Sequence, residues 1–412
     1  MNEWNDNFIK ISMKHHYNNT LKHIKSCNYG CIGIILVLLV LWTGCKSKNE
    51  TRENSSLFDN LSFEYVIVDS LGPFNPWAKF SGDLDNDGME DIIIGGQKGP
   101  LVWYKYPDWS KFLIAEGGYN TVDGEVGDMD GDGDLDIVMG GLFWYENNGN
   151  IREDPTQPWE IHLIADHPTH DIEIADLDGD GRLDVISRNQ SEFGYKAGNT
   201  IHIWMNTGTD KWNEKVLQCP HGEGIVVSDL DGDRDPDIVT GGIWFENHDT
   251  EWREHHFTRW YPNANVQIAD INHDGRNDVV LTPSELAGSY YRISWLEAPA
   301  NRDLEDWTEH IIFDSVECVI HSLAVGDLNL DNAIDIIYAE MHQGKDPDEV
   351  VVLLNRENGA LWEKQVLSNK GSHGIRVADV NNDHVLDIFG ANWSSDYQPV
   401  ELWINKQQVM TK

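Results

Sequence analysis

A nine-residue acidic unit recurs seven times along the 412-residue chain, and this repetition constrains the fold more than any other feature. Asp83, Asp128, Asp176, Asp229, Asp270, Asp327 and Asp379 each begin one copy, at spacings of 45, 48, 53, 41, 57 and 52 residues. A period of about 50 residues marks a repeat architecture, in which each unit buries its apolar face against its neighbours. Every unit has the same parts. A short alternating segment such as "VQIAD" or "IRVAD" precedes the acidic loop, and an apolar run such as "DIIIGG" or "DIVMGG" follows it. A third segment contains a tryptophan (Trp103, Trp144, Trp204, Trp244, Trp295, Trp403), and a fourth begins with one (Trp109, Trp159, Trp212, Trp252, Trp307, Trp362). Four short strands per unit joined by polar turns describe one blade, so the expected fold is all-β, a seven-bladed β-propeller over residues 60–408. The seventh unit ends without a fourth strand. "FEYVIVD" (Phe63–Asp69) precedes the first unit and is expected to supply it, closing the ring and removing a free sheet edge.

The acidic loops carry a definite chemistry. "DLDGDGRLD", from Asp176, offers side-chain oxygens at loop positions 1, 3, 5 and 9, with glycine at position 6 for a sharp turn. Hard oxygen ligands at alternate positions suit Ca²⁺. The expected ligand sets are Asp83, Asp85, Asp87 and Asp91 in blade one; Asp128, Asp130, Asp132 and Asp136 in blade two; and Asp176, Asp178, Asp180 and Asp184 in blade three. Blade five offers Asp270, Asn272, Asp274 and Asp278, and blade six Asp327, Asn329, Asp331 and Asp335. Blades four and seven place Arg234 and His384 where glycine is expected, which predicts weaker binding or none. Net charge fits this reading. The chain carries 30 Lys+Arg against 70 Asp+Glu, a formal charge of −40, which disfavours nucleic acid as a partner. Seven divalent ions would bring that charge to −26. Through these loops the chain resembles the FG-GAP/VCBS class of propeller repeats, also seen in integrin heads, over residues 60–405. The resemblance implies a structural role for the calcium.

A second pattern lies at the other end of the same strands. His170, His321 and His373 each stand six residues before the first Asp of their loop; Glu223 holds that offset in blade four, with His221 two residues earlier. Strand alternation places this set around the channel mouth on the face away from the calcium loops. It also directs the polar inner-strand residues Asp123/Glu125, Asp171/Glu173, Asn265/Gln267 and Arg376 toward the channel. Clustered imidazole and carboxylate suits either a transition-metal ion such as Zn²⁺, a second divalent metal beside the calcium, or general acid–base chemistry near neutral pH. Trp77, Trp260 and Trp393 fall outside the blade pattern, in loops assigned to this mouth together with Tyr195, Tyr261, Tyr290 and Tyr291, and suit stacking on sugar rings. Arg188, Arg259, Arg376, Lys196 and Lys345 are candidates for holding an anionic ligand.

The N-terminus reads as a targeting segment. Lys14, Lys22 and Lys25 precede the apolar run Ile32–Trp42, too short to span a bilayer, and "LWTGC" ends at Cys45. This resembles a bacterial lipobox. It implies a signal peptide over 1–44, lipidation of Cys45 and a polar tether over 45–59. The protein would then be a monomer anchored by lipid in the bacterial cell envelope, at the outer membrane, and would touch the membrane only through that anchor. Cys219 and Cys318 alone do not make a disulfide framework.

The seven acidic blades, the off-pattern histidines and the lipoprotein start are also similar to propeller dehydratases, namely the propeller of aldos-2-ulose dehydratase and the oligosaccharide dehydratase of marine ulvan degradation. That resemblance implies loss of water by β-elimination from a uronic acid at the end of an anionic oligosaccharide, giving an unsaturated sugar. His170, His221, Glu223, His321 and His373 would do the chemistry, and Trp77, Arg188, Arg259, Trp260, Arg376 and Trp393 would hold the substrate. The cupin domains of the fungal enzyme are absent. The alternatives are a calcium-stabilised surface propeller that binds glycan or protein without catalysis, and a quinone- or metal-dependent sugar oxidase, for which no cofactor motif is present.

Overall fold

The computed structural model describes residues 60–408, apart from 120–122, 190–198, 209–210, 249–250 and 261–262. The expected signal peptide, the tether and Cys45 lie outside the described residues, as do Tyr195, Lys196 and Tyr261. Within the described residues, 28 strands form seven four-stranded antiparallel sheets, one per acidic unit, and none of these residues is helical. The innermost strands of successive blades lie side by side around the ring.

Burial follows from blade geometry. A second strand such as Asp91–Gly96 or Asp335–Glu340 is buried at every residue, because a neighbouring blade covers each face of its sheet. The outermost strands alternate or lie mostly exposed, as in Trp212–Gln218. The core is therefore seven seams rather than one centre. Ala78, Phe80 and Trp103 of blade one meet Ile137, Met139 and Tyr145 of blade two, and the last seam joins Ile92, Ile94 and Val102 to Ala378, Phe389 and Leu402 of blade seven. The last blade contains both ends of the propeller. Phe63–Asp69 pairs antiparallel with Val400–Asn405, from Phe63↔Asn405 to Asp69↔Val400, as the sequence predicts.

The third-strand tryptophans are not equivalent. Trp103, Trp144, Trp244 and Trp295 stand opposite the residue two after the ninth loop aspartate, whereas Trp204 and Trp403 stand opposite the residue one after it. One position of register turns a side chain to the other face of its blade. Trp144 and Trp204 accordingly share the seam between blades two and three.

Side-chain latches tie the blades together at both ends. On the acidic-loop side, Asn147, Asn247, Asn355 and Asn405 donate to carbonyls of the preceding blade at 2.8–2.9 Å. At the other end, Asp123 accepts from Ile172 N (3.2 Å), Asp171 from Gly224 N (3.1 Å), and Asn265 donates to Ile320 O (2.9 Å). Each inner strand thus runs from a histidine-bearing mouth to an acidic turn. Asp171–Ala175, for example, starts beside His170 and ends at Asp176.

Candidate functional site

The seven acidic turns share one conformation. The first aspartate accepts the backbone N–H of position 6 at 2.7–3.1 Å in every blade. Position 6 has a positive φ throughout, including Arg234 (85°), Asn332 (67°) and His384 (67°). Blades four and seven therefore keep the turn without the glycine that makes it cheap. The ninth aspartate is a backbone staple as well as a candidate ligand. Asp335, for instance, accepts Leu328 N (3.0 Å) and Asn355 N (2.8 Å), and the other six make the same pair of contacts. Burial raises these carboxyls, Asp91 to about 8 and Asp335 to about 7, with the neighbouring loop carboxylates adding to the effect. In blades one, two and three, oxygens of Asp83/Asp85/Asp91, Asp128/Asp130/Asp136 and Asp176/Asp178/Asp184 lie within 4.8 Å of one another, a donor set that fits a hard divalent cation. Blade one also has an internal counter-ion, since Lys105 Nζ contacts Asp85 and reaches Asp87 at 2.8 Å.

The opposite mouth gathers the histidines. His170, Glu223 and His321, from blades three, four and six, place ligand atoms within 4.8 Å of one another. Each imidazole is oriented by a partner on its far nitrogen. His170 Nδ1 lies 3.1 Å from Asp171 Oδ1, and His321 Nδ1 lies 3.2 Å from the His373 carbonyl. A carbonyl only accepts, so Nδ1 of His321 carries the proton and its Nε2 keeps a lone pair. Those Nε2 atoms face carboxylates: His170 Nε2 is 3.8 Å from Glu223, and His321 Nε2 is 3.3 Å from Glu285. Glu223 is 2% exposed, and neither of its oxygens closes a full hydrogen bond, although the Ser284 hydroxyl lies beside it. Two histidines and a glutamate, each imidazole fixed through its second nitrogen, are the donor set of an open divalent transition-metal site.

Electrostatics separates the three imidazoles. Burial opposes the His170 cation, but Asp171, Glu223 and Glu285 together hold it up at about 9. Burial, with His170 and Lys79 nearby, pushes His321 down to about 3. His373 stacks on His321 with ring centroids 4.1 Å apart and is held well below its usual range, by burial first and then by the neighbouring His321, Lys79 and His170.

A profile of the FG-GAP-like repeat matches residues 83–139 and 327–390. The chain is a seven-bladed propeller that carries FG-GAP-like repeats at these residues. No curated protein matches it. Among solved structures, BBS1N in complex with ARL6DN is similar in two crystals. The mercury-soaked one covers 84% of this chain and 97% of its own, at TM-score 0.55 and 12% identity. The lead-soaked one covers 85% and 98%, at TM-score 0.53 and 12% identity. At that identity the likeness is one of fold.

In this propeller the expected site residues divide. His170, Glu223, His321 and His373 converge, whereas His221 stands outside the set of three donors, its Nε2 buried without a hydrogen bond. Trp77 lines the same cavity of about 250 Å³ as His321 and His373. Trp393 packs edge-on against Trp77 (5.7 Å) and His373 (5.5 Å), so these two tryptophans form one aromatic wall. Arg376 also lines the cavity and pairs with Asp123 at 3.0 Å. Arg188 is buried, and its guanidinium donates to the carbonyls of Pro220 and Gly224, which makes it a joint between blades three and four. Trp260 packs on Tyr291 and under Arg292, which with Tyr290 lie in the long third strand of blade five (Leu286–Glu297) and not in a loop as expected, and Arg259 is exposed nearby on the connection to blade five. Two functional residues escape the sequence reading. Glu285 reaches His321 from a turn at φ 66°, and no pattern in the chain announces it. Lys79 also lines the cavity, and its signal was present: it breaks the apolar rule four residues before the loop.

Proposed function

We propose that the protein is a carbon–oxygen lyase that removes water by β-elimination from a uronic acid residue at the end of an anionic oligosaccharide. The observation that carries this reading is the convergence of His170, Glu223 and His321, with Glu285 on His321, beside a cavity lined by His321, His373 and Trp77, the last two backed by Trp393. Such a reaction needs a proton removed next to a carboxylate, a proton delivered to the departing hydroxyl, and charge offset at the carboxylate. A divalent transition-metal ion, held by His170, Glu223 and His321, would supply the charge offset when bound. The aromatic wall stacks the ring. His373, kept neutral by its surroundings, is the proton acceptor. Glu285, whose carboxyl burial raises above the usual range, is the proton donor to the departing hydroxyl, which leaves as water. Ca²⁺ in the acidic loops of the far face holds the blade ends in register and takes no part in the chemistry. The Cys45 lipid anchor would place the enzyme in the bacterial cell envelope.

Mixing the protein with uronate-terminated oligosaccharides should raise absorbance near 235 nm as the new double bond forms. His321→Ala and His373→Ala should each lower turnover by about 10²–10⁴-fold. Unchanged turnover in both would remove the histidine cluster from the mechanism. The rival reading, a non-catalytic binding propeller, draws on the similar propeller BBS1N, solved in complex with ARL6DN. It predicts a sugar- or partner-dependent rise in melting temperature with no change at 235 nm.

A further inference from the structure

Lys79 is built into a cavity that Asp123, Glu125, Asp171 and Glu173 also line. It is 1% exposed, and among the described residues it forms no ion pair. Its ammonium nitrogen lies 2.9 Å from the Trp77 carbonyl and 3.3 Å from His373 Nδ1. The corresponding position is Ile172, Ile225, Val266, Leu323 and Ile375 in blades three to seven, all buried apolar residues. A lysine here is a departure from the repeat, and the fold makes room for it. The blade-seven residue opposite is Gly374, where a β-carbon would come within 2.7 Å of Lys79 Cδ. The charged and titratable groups that share the cavity with Lys79 are Arg376 and Asp123, which pair with each other, Glu125, Asp171 and Glu173, and His373 and His321; Asp123 acts to hold the Lys79 proton. Burial and the Arg376 charge push the Lys79 ammonium well below its usual value. A buried amine of this kind gives up its proton more readily than a free lysine, and an arriving anion stabilises its cation.

We propose that Lys79 is the receptor for the ligand's carboxylate, and that it takes up a proton as that carboxylate enters the cavity. This deepens the reading above by naming the residue that selects a uronate over a neutral sugar, and it rests on that reading for the sugar class alone. The proton comes from solvent and stays on Nζ while the anion is bound, so no bond to carbon is made or broken.

The test is calorimetric titration of the folded full-length protein with D-glucuronate and with methyl D-glucoside, in buffers of different ionisation enthalpy. The wild type should bind glucuronate with uptake of close to one proton and should bind the glucoside at least about tenfold more weakly. Lys79→Met should lose both the uptake and the preference. Lys79→Arg should retain the preference without uptake, because a guanidinium stays charged. Wild-type binding without proton uptake, unaltered binding by Lys79→Met, or no glucuronate binding by the wild type would each overturn the proposal. Glucuronate binding with uptake but no absorbance change at 235 nm would leave Lys79 as a carboxylate receptor and remove the lyase. Circular dichroism and melting of each variant separate a lost site from a lost fold.

Discussion

At the scale of single residues, the mouth of the propeller departs from the stability-first choices made in the rest of the repeat. Lys79 occupies an apolar slot and Glu285 a left-handed backbone, each at a cost of order 1–3 kcal/mol that blades without them avoid. Lys79→Met should therefore stabilise the fold by about 1–3 kcal/mol near neutral pH while removing carboxylate selectivity. The pH dependence has a fixed sign. The unfolded lysine holds its proton up to about 10.5, and the folded one releases it well below that. Between those two values unfolding takes up a proton, so this contribution to stability rises with pH. The advantage of methionine should be largest below the folded value and vanish near pH 10.5, which urea unfolding of the two proteins across pH 6–10 would read directly. A constant difference across that range would mean that Lys79 is charged in the fold. Of these two residues only Lys79 was legible beforehand, since it interrupts a column of isoleucine, valine and leucine. Glu285 reaches His321 through a backbone angle that its neighbours in sequence do not encode.

At the scale of elements, the acidic turn staples the backbone and, on the reading proposed above, holds Ca²⁺, two jobs that mutation should separate. Its ninth aspartate pairs two backbone N–H groups, so Asp335→Ala leaves Leu328 and Asn355 unsatisfied and should cost about 2–4 kcal/mol with or without calcium. Asp178 holds only the neighbouring Asp180 N–H on an exposed turn. Asp178→Asn should change the ion-free protein by less than about 0.5 kcal/mol and reduce the rise in melting temperature that added Ca²⁺ produces. Melting curves with chelator and with calcium would show both effects, and equal losses in the two variants would contradict the division. The turns, the strands and the closing segment were readable because they follow periods of two residues within strands and about 50 along the chain. The facing of each tryptophan was not, because a one-residue register shift between third strands leaves composition unchanged and reverses the face. The Asn147, Asn247, Asn355 and Asn405 latches were also missed. They recur just after or near the end of the third strand in four of the seven blades, but an asparagine there reads equally well as a turn residue.

At the scale of the whole molecule, closure of the ring and assembly of the mouth are the same event. Blade seven carries His373 just before its inner strand and Arg376 on it, and its outer strand is Phe63–Asp69, from the other end of the propeller. His373 supplies the carbonyl that orients His321, and Gly374 supplies the slot for Lys79, so a displaced blade seven disturbs groups from blades one and six together. Removing residues 63–69 would uncover the hydrogen-bonding edge of Val400–Asn405 and part of the last seams, where Val66 and Val68 pack. An exposed edge of that kind recruits another strand. The truncated protein should melt at least about 10 °C lower and shift from monomer to dimer or larger species in light scattering. It should also lose the proton uptake that accompanies glucuronate binding. A synthetic FEYVIVD peptide added in trans should restore monomer, melting temperature and uptake in parallel, because one strand completes both the sheet and the mouth. Recovery of the melting temperature without recovery of uptake would show that the mouth is organised by its own loops, independently of the ring.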